Sequence, residues 1–190
     1  MNALFGAAAE IESFCRARGW RSTIIGGLAV QRWGEPRQTR DVDVTLLTGL
    51  GGEERFVDPL LSAFQHRIED ARRFALAHRV VLIETAGGVP LDISLAGLPY
   101  ETRVVDRSTT FVPAPGVSLT TCSAEDLVVL KAFAGRIQDW LDVEGIVVRQ
   151  GPRLDRHLVL HELGPLLDLK DDRESQSRLE AVFTKHPAVQ

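Results

Sequence analysis

Three aspartates carry the chemistry that this sequence can do. Asp41 and Asp43 stand at positions i and i+2 of the stretch Asp41–Leu47, DVDVTLL, where acidic and apolar residues alternate. That alternation predicts a strand with two distinct faces. Side chains at this spacing project from the same face, so Val42 and Val44 turn to the core and the two carboxylates emerge together on the other side. Two carboxylates on one face can hold one or two hard divalent cations. Asp92, within Pro90-Leu-Asp-Ile-Ser94, is a third acid in a β-prone apolar run. A carboxylate there needs a partner or a metal, because burying it bare is costly. Paired divalent ions, about 3.5–4 Å apart, stabilise both the attacking and the leaving oxygen of a displacement at phosphorus. A DxD on a strand also occurs as a solvated edge or a turn anchor; its combination with other features narrows the reading.

Those features lie just upstream, in IIGGLAVQRWGEPRQTRDVDV from Ile24 to Val44. A short β-prone run, Ser22–Ile25, ends at Gly26-Gly27, and a helix is expected over Leu28–Trp33, closed by Gly34. Glycines at such a turn let the backbone approach a phosphate, and the helix N-terminus offers unpaired N–H groups with partial positive charge. Arg37, Thr39 and Arg40 precede the acidic strand and could contact a phosphate tail. For Thr39 the commoner use is a turn hydroxyl bonded to its own backbone.

The elements that must position these residues follow from periodicity and punctuation. An amphipathic helix is predicted over 3–18, stopped by Gly19. Residues 53–78 read as helical with a break near His66–Asp70. Val80–Glu84 and Val89–Leu95, separated by Thr-Ala-Gly-Gly, read as a hairpin that carries Asp92. Residues 97–120 are mixed, with a Pro/Gly-rich patch at 112–116. Ser123-Ala-Glu-Asp126 resembles a capping box opening a helix, on which Leu127, Val128, Leu130 and Phe133 are expected core positions. Further helices are predicted near 139–150, 155–168 and 173–185. The expected organisation is therefore an α+β core over residues 1–120, a small mixed sheet flanked by helices, followed by a C-terminal helical part over 121–190 packed with the core as one unit.

Bulk composition limits the alternatives. The chain has 190 residues, 44% hydrophobic and 25% charged, the mix of an ordinary globular protein with a core of its own. Its net charge of −4 does not favour DNA, and any nucleic-acid contact would fall to local basic clusters such as 37–40 or 149–156. Cys15 and Cys122 lack CxxC spacing and are expected as buried thiols in a reducing compartment. No signal segment and no membrane-spanning run is evident, so the cytoplasm is the expected location and no membrane partner is expected. His157 and His161, at i and i+4, lack the HExxH order and a third ligand, and read as helix-surface histidines rather than a zinc site. No GxSxG, GxxxxGK or GxGxxG is present, which disfavours a hydrolase elbow, a P-loop and a dinucleotide site. Trp20, Trp33 and Trp140 are expected to pack, with Trp33 near enough to the glycine turn to touch a base.

The order GG, about a dozen residues, DxD on a strand, then an acid on a later strand resembles the nucleotidyltransferase superfamily with a polymerase-β-like core. Within it the sequence is most similar to the AbiEii/AbiGii-toxin-like nucleotidyltransferases. The matching stretches are GGLAVQRWGEPRQTRDVDV, RFALAHRVVLIETAGGVPLDISLAGLPYE and TCSAEDLVVLKAFAGRIQDWLDVEGIVVRQG, which together run from about residue 24 to 151. The resemblance implies a fold of that superfamily and the transfer of a nucleoside monophosphate from an NTP to a hydroxyl, with Mg2+ or Mn2+ as cofactor. It implies that Gly26 and Gly27 line the triphosphate and that Asp41 and Asp43 bind metal. Asp92 would bind metal or draw the proton from the incoming hydroxyl. Lys131 would meet the nucleotide phosphates, and Asp139 matches a further acidic position. The resemblance also suggests the toxin of a bacterial toxin–antitoxin or phage-defence pair, with tRNA or another RNA as acceptor and a cognate antitoxin protein as partner. Small-molecule acceptors, as in antibiotic-modifying relatives, and an inactive nucleotide-binding or regulatory protein are the alternatives. Read from residue type alone, Lys131, Arg136 and Asp139 are expected on a solvated helix surface, with Asp139 and Asp142 pairing with Arg136 and Arg149.

Overall fold

The computed structural model describes residues 2–188. Their order is α1 (Ala3–Ala17), β1 (Ser22–Ile24), α2 (Gly26–Trp33), β2 (Val42–Leu47), α3 (Glu54–Ala63), β3 (Gln65–His66), α4 (Ala71–His78), β4 (Val80–Glu84), β5 (Pro90–Ala96), α5 (Pro99–Asp106), β6 (Thr109–Ala114), β7 (Val117–Thr121), α6 (Ala124–Ala134), α7 (Ile137–Gln150), a short 3-10 turn, α8 (Arg156–Lys170) and α9 (Arg173–Lys185). The chain forms two compact units. One takes the chain up to Leu28 and again over Gln38–Cys122; the other takes Ala29–Arg37 and the chain from Ser123 onward. The predicted helices and strands are all present, with α2 beginning two residues earlier than expected, at Gly26 itself. The architecture is α+β: a small mixed sheet flanked by helices, then a helical C-terminal part.

All seven strands lie in the first unit, in one sheet of order β3-β4-β5-β2-β1-β7-β6. β2 runs parallel to β5 and antiparallel to β1, while β4 and β5 form the antiparallel hairpin. The Thr-Ala-Gly-Gly turn closes through Gly88 N donating to Thr85 O at 2.9 Å, and Gly88 sits at φ 72, where glycine has no Cβ penalty. One face of the sheet is apolar: Val42, Val44, Leu91, Ile93, Val81 and Ile83 are buried and pack with Ile11, Leu28, Val57 and Leu60. The strand alternation explains this, since every second residue must face that core.

Asn2 caps α1 through its side chain, accepting from Leu4 N. Cys15 on α1 is buried, as is Cys122, and neither is in a disulfide. Burial pushes the Cys15 thiol above its ordinary pKa, which keeps it protonated and unreactive. At the far end of β5, Arg79 reaches from a left-handed backbone position to bridge the Leu95 carbonyl (2.9 Å), the Gly49 carbonyl (2.8 Å) and the Glu53 carboxylate. The loop that follows β2 is thereby tied to the strand ends.

In the second unit, Ser123 caps α6 as its capping-box spacing predicts, its hydroxyl accepting from Asp126 N at 3.0 Å. Leu127 and Val128 are buried core residues, but Phe133, expected in the core, is 37% exposed and lies beneath the Lys170 ammonium. It stands in the last turn of α6, one residue before Ala134 and the Gly135 cap. His157 and His161 are exposed on α8, as expected of surface histidines. Among the described residues no helix is long and apolar enough to cross a membrane.

Ile93 is fully buried on the central strand β5. Ile93→Ala is expected to lower the unfolding free energy by about 2–5 kcal/mol, read from urea titration followed by circular dichroism. A loss below about 1 kcal/mol would mean that the sheet packs less tightly there than described.

Candidate active site

The parallel pairing of β2 and β5 puts Asp43 directly beside Asp92, with Val42 beside Leu91 and Val44 beside Ile93. Because paired residues share a face, the same register that buries the four apolar side chains aligns the two carboxylates. Asp41 lies just before the first ladder residue, Val42, rather than within the strand. Asp41, Asp43 and Asp92 each offer a carboxylate oxygen, and these lie within 4.8 Å of one another. All three residues are half-buried. The donor set is oxygen only and anionic, which fits a hard divalent ion such as Mg2+ or Mn2+ and not a soft metal.

The glycine turn meets the triad in an unexpected way. Gly26 has φ +60, and a methyl group built on it would stand 1.8 Å from Asp43 Oδ2. A methyl on Gly27 would stand 2.4 Å from Thr39 Oγ1. The Gly27 N–H points toward Asp43 Oδ2 at 3.4 Å, at the start of α2, where helix geometry leaves backbone donors to spare. These glycines therefore let the Asp43 and Thr39 side chains approach the backbone, a constraint that the sequence reading assigned to phosphate alone. Thr39 is buried and does not bond its own backbone as its turn position suggested: its hydroxyl donates to Asp41 Oδ1 at 2.8 Å. The bond orients Asp41 from outside the strand.

Asp92 has a partner that the sequence reading missed. Arg67, just past the two-residue strand β3, places Nη1 on Asp92 Oδ1. Nothing local in the sequence marks Arg67; it is found only by following pairing across three strands. Arg40 is exposed.

The remaining expected site residues belong to the second unit, where Arg37 also lies. Lys131 on α6 and Asp139 and Asp142 on α7 are buried, at 6%, 1% and 4% exposure. The expectation of a solvated surface is overturned for these residues and holds for Arg136, whose side chain is 76% exposed. Lys131 Nζ donates to Asp139 Oδ1 at 2.8 Å and lies 2.9 Å from Asp142 Oδ2. Arg136 Nε donates to Asp139 Oδ2 at 2.6 Å. Asp142 pairs not with Arg149 but with Arg37, which grips both of its oxygens at 2.7 and 2.9 Å. Arg149 instead donates to the Gly34 carbonyl, and Gln150 to the Trp33 carbonyl at 2.6 Å. The Arg32 guanidinium stacks on the Trp33 ring at 3.9 Å.

Burial alone would raise the Asp139 and Asp142 carboxyl pKa values, but hydrogen bonds from Arg136 and Lys131, and from Arg37 and Lys131, outweigh it and hold both below the usual carboxylate range.

The fold thus assembled is that of the nucleotidyltransferases, a mixed sheet bearing clustered acids followed by helices. Among solved structures, the chain is similar to an antigenic nucleotidyltransferase-like protein from Paracoccidioides brasiliensis, with TM-score 0.53 and 16% identity over 94% of this chain and 92% of that one. It is also similar to the antibiotic-resistance factor ANT(2'')-Ia, with TM-score 0.54 and 16% identity over 91% of this chain and 96% of that one. No protein-family profile and no curated protein sequence matches the chain.

Two outcomes are expected from this geometry. Lys131→Met leaves two buried carboxylates without their shared cation and should cost about 3–5 kcal/mol in denaturant unfolding. Because Asp139 and Asp142 have depressed folded-state pKa values, their contribution to stability is complete above the unfolded carboxyl value of about 3.9 and is lost as pH falls through the folded values. Urea midpoints taken from neutral pH down to about pH 3 should fall in the wild type and fall less steeply in Asp142→Asn. Parallel curves would refute the assignment.

Proposed function

We propose that the protein is a metal-dependent nucleotidyltransferase that moves a nucleoside monophosphate from an NTP to a hydroxyl acceptor. The observation that carries this reading is the convergence of three carboxylates within 4.8 Å beside a glycine turn at a helix start. The nucleotidyltransferase fold supports it.

Asp41 and Asp43 would hold the divalent ion, with Asp92 completing the ligand set. When bound, that ion neutralises phosphate charge and polarises the phosphorus centre. Thr39 fixes the Asp41 carboxylate, and the Gly27 amide leans on that of Asp43, so both ligands are oriented before substrate arrives. Asp92, with one oxygen on Arg67, uses the other to take the proton of the acceptor hydroxyl. The acceptor oxygen then bonds to the α-phosphorus as the bond to the bridging oxygen breaks, and pyrophosphate departs with that electron pair. Gly26, Gly27, Thr39 and Arg40 are the phosphate-side groups of the first unit. Lys131 and Arg37, expected at the phosphates, are engaged with Asp139 and Asp142 inside the second unit.

The acceptor proposed is tRNA or another RNA, in a cytoplasmic toxin of a toxin–antitoxin or phage-defence pair held in check by an antitoxin protein. This rests on the resemblance of the three quoted stretches. A second reading, a small-molecule hydroxyl as acceptor, is favoured by the likeness to ANT(2'')-Ia.

Incubation with labelled NTPs, Mg2+ or Mn2+, and separately bulk RNA, protein and aminoglycosides should give label transfer to one acceptor class. Asp43→Asn should reduce it by about 10²–10³-fold, the usual loss of one preorganised electrostatic group. Transfer that survives Asp43→Asn unchanged would refute the function; transfer to the aminoglycoside alone would select the second reading.

A further inference from the structure

The sheet carries a row of residues that crosses three strands on the face of the triad and ends on the residue that follows a fourth. Asp43 on β2 pairs with Asp92 on β5, and Asp92 pairs with Leu82 on β4. Arg67 continues the row, its N–H donating to the Leu82 carbonyl at 3.2 Å. Strands lie about 4.8 Å apart, so Arg67 stands roughly two strand widths from Asp92. An arginine side chain spans that distance over Leu82, and its Nη1 meets Asp92 Oδ1. The pair is neither surface decoration nor sealed core: the Arg67 and Asp92 side chains are 29% and 33% exposed. Water screens such a pair in part.

We propose that Arg67 is the resident counter-cation of the acidic triad, and that its charge sets how tightly Asp41, Asp43 and Asp92 bind divalent ions. The inference rests on the reading of the triad as a metal site. Three carboxylates with oxygens within 4.8 Å repel one another, and a fixed positive charge on one of them relieves that repulsion. The same charge opposes any further cation at the cluster and occupies one oxygen of a ligand. Arg67 therefore trades affinity for balance: the triad is partly compensated between turnovers, and a bound ion leaves it more readily. Its role is positioning and electrostatic, through Asp92, and not direct contact with reacting atoms. Anchored by its backbone to β4, Arg67 keeps this station by the pairing of an edge strand.

The test is Mn2+ binding to the purified full chain without nucleotide, measured by electron paramagnetic resonance of free Mn2+ and by calorimetry. Arg67→Met should lower the Mn2+ dissociation constant by about fivefold or more, the lower end of typical coupling between two interacting sites. Arg67→Lys, which keeps the charge, should stay near wild type. A purely structural arginine would instead shift the melting temperature and leave Mn2+ affinity alone. Should Arg67→Met not fold, Arg67→Gln provides the same comparison with a polar side chain. Unchanged or weaker Mn2+ binding in the neutral variants, with binding intact in the wild type, overturns the inference and leaves the proposed function standing. Absence of Mn2+ binding in the wild type and every variant overturns both.

Discussion

Mutual repulsion among three carboxylates is the force that the first unit must contain. Asp41, Asp43 and Asp92 are brought within a few ångströms because β2 and β5 are locked in register by the apolar residues on the opposite face. Val42, Val44, Leu91 and Ile93 cannot leave the core, so the acids cannot leave each other. A slip of one residue along either strand would exchange the faces and drive an aspartate into the hydrophobic interior. The burial energy of aliphatic side chains is thus converted into fixed proximity of charge. The surrounding polar groups soften the result: a threonine hydroxyl on Asp41, a backbone amide near Asp43 and a guanidinium on Asp92.

The second unit answers the same electrostatic question in a different medium. Lys131 sits buried between two aspartates that are themselves gripped by arginines from outside α6. Such a network gains little net stability over apolar packing, because desolvation offsets the attraction. What it secures is geometry: the Arg37 segment is tied to α7, with Gln150 on the Trp33 carbonyl and Arg149 on that of Gly34 adding two more ties to the same helix. A closed polar network of this kind tolerates few arrangements, since any other would leave a buried charge unmatched.

Much of this was legible in the residues. Period-two alternation marked β2, the hairpin turn marked β4 and β5, and Ser123 with its spacing to Asp126 marked the start of α6. Asp43 and Asp92 followed from strand geometry because they lie on strands whose faces are dictated by apolar neighbours, and Asp41 stands immediately before the first of those strands. What local pattern did not carry was long-range partnership. Arg67 became visible only through the order β3-β4-β5-β2, and the Arg37–Asp142 bond spans a hundred residues of chain. The burial of Lys131 was misjudged because lysine is rarely interior, and only its two carboxylate partners make that placement tolerable. Gly26 and Gly27 were singled out for a phosphate, whereas the constraint that the structure places on them is the space that Asp43 and Thr39 occupy, which no spacing rule reports.

The enclosed Lys131–Asp139–Asp142 cluster also shapes how this chain can change over generations. Replacing the whole cluster with aliphatic residues could be neutral for stability, but each single step along that route strands an ion in a dry interior. The three positions therefore accept concerted replacement more readily than any single one.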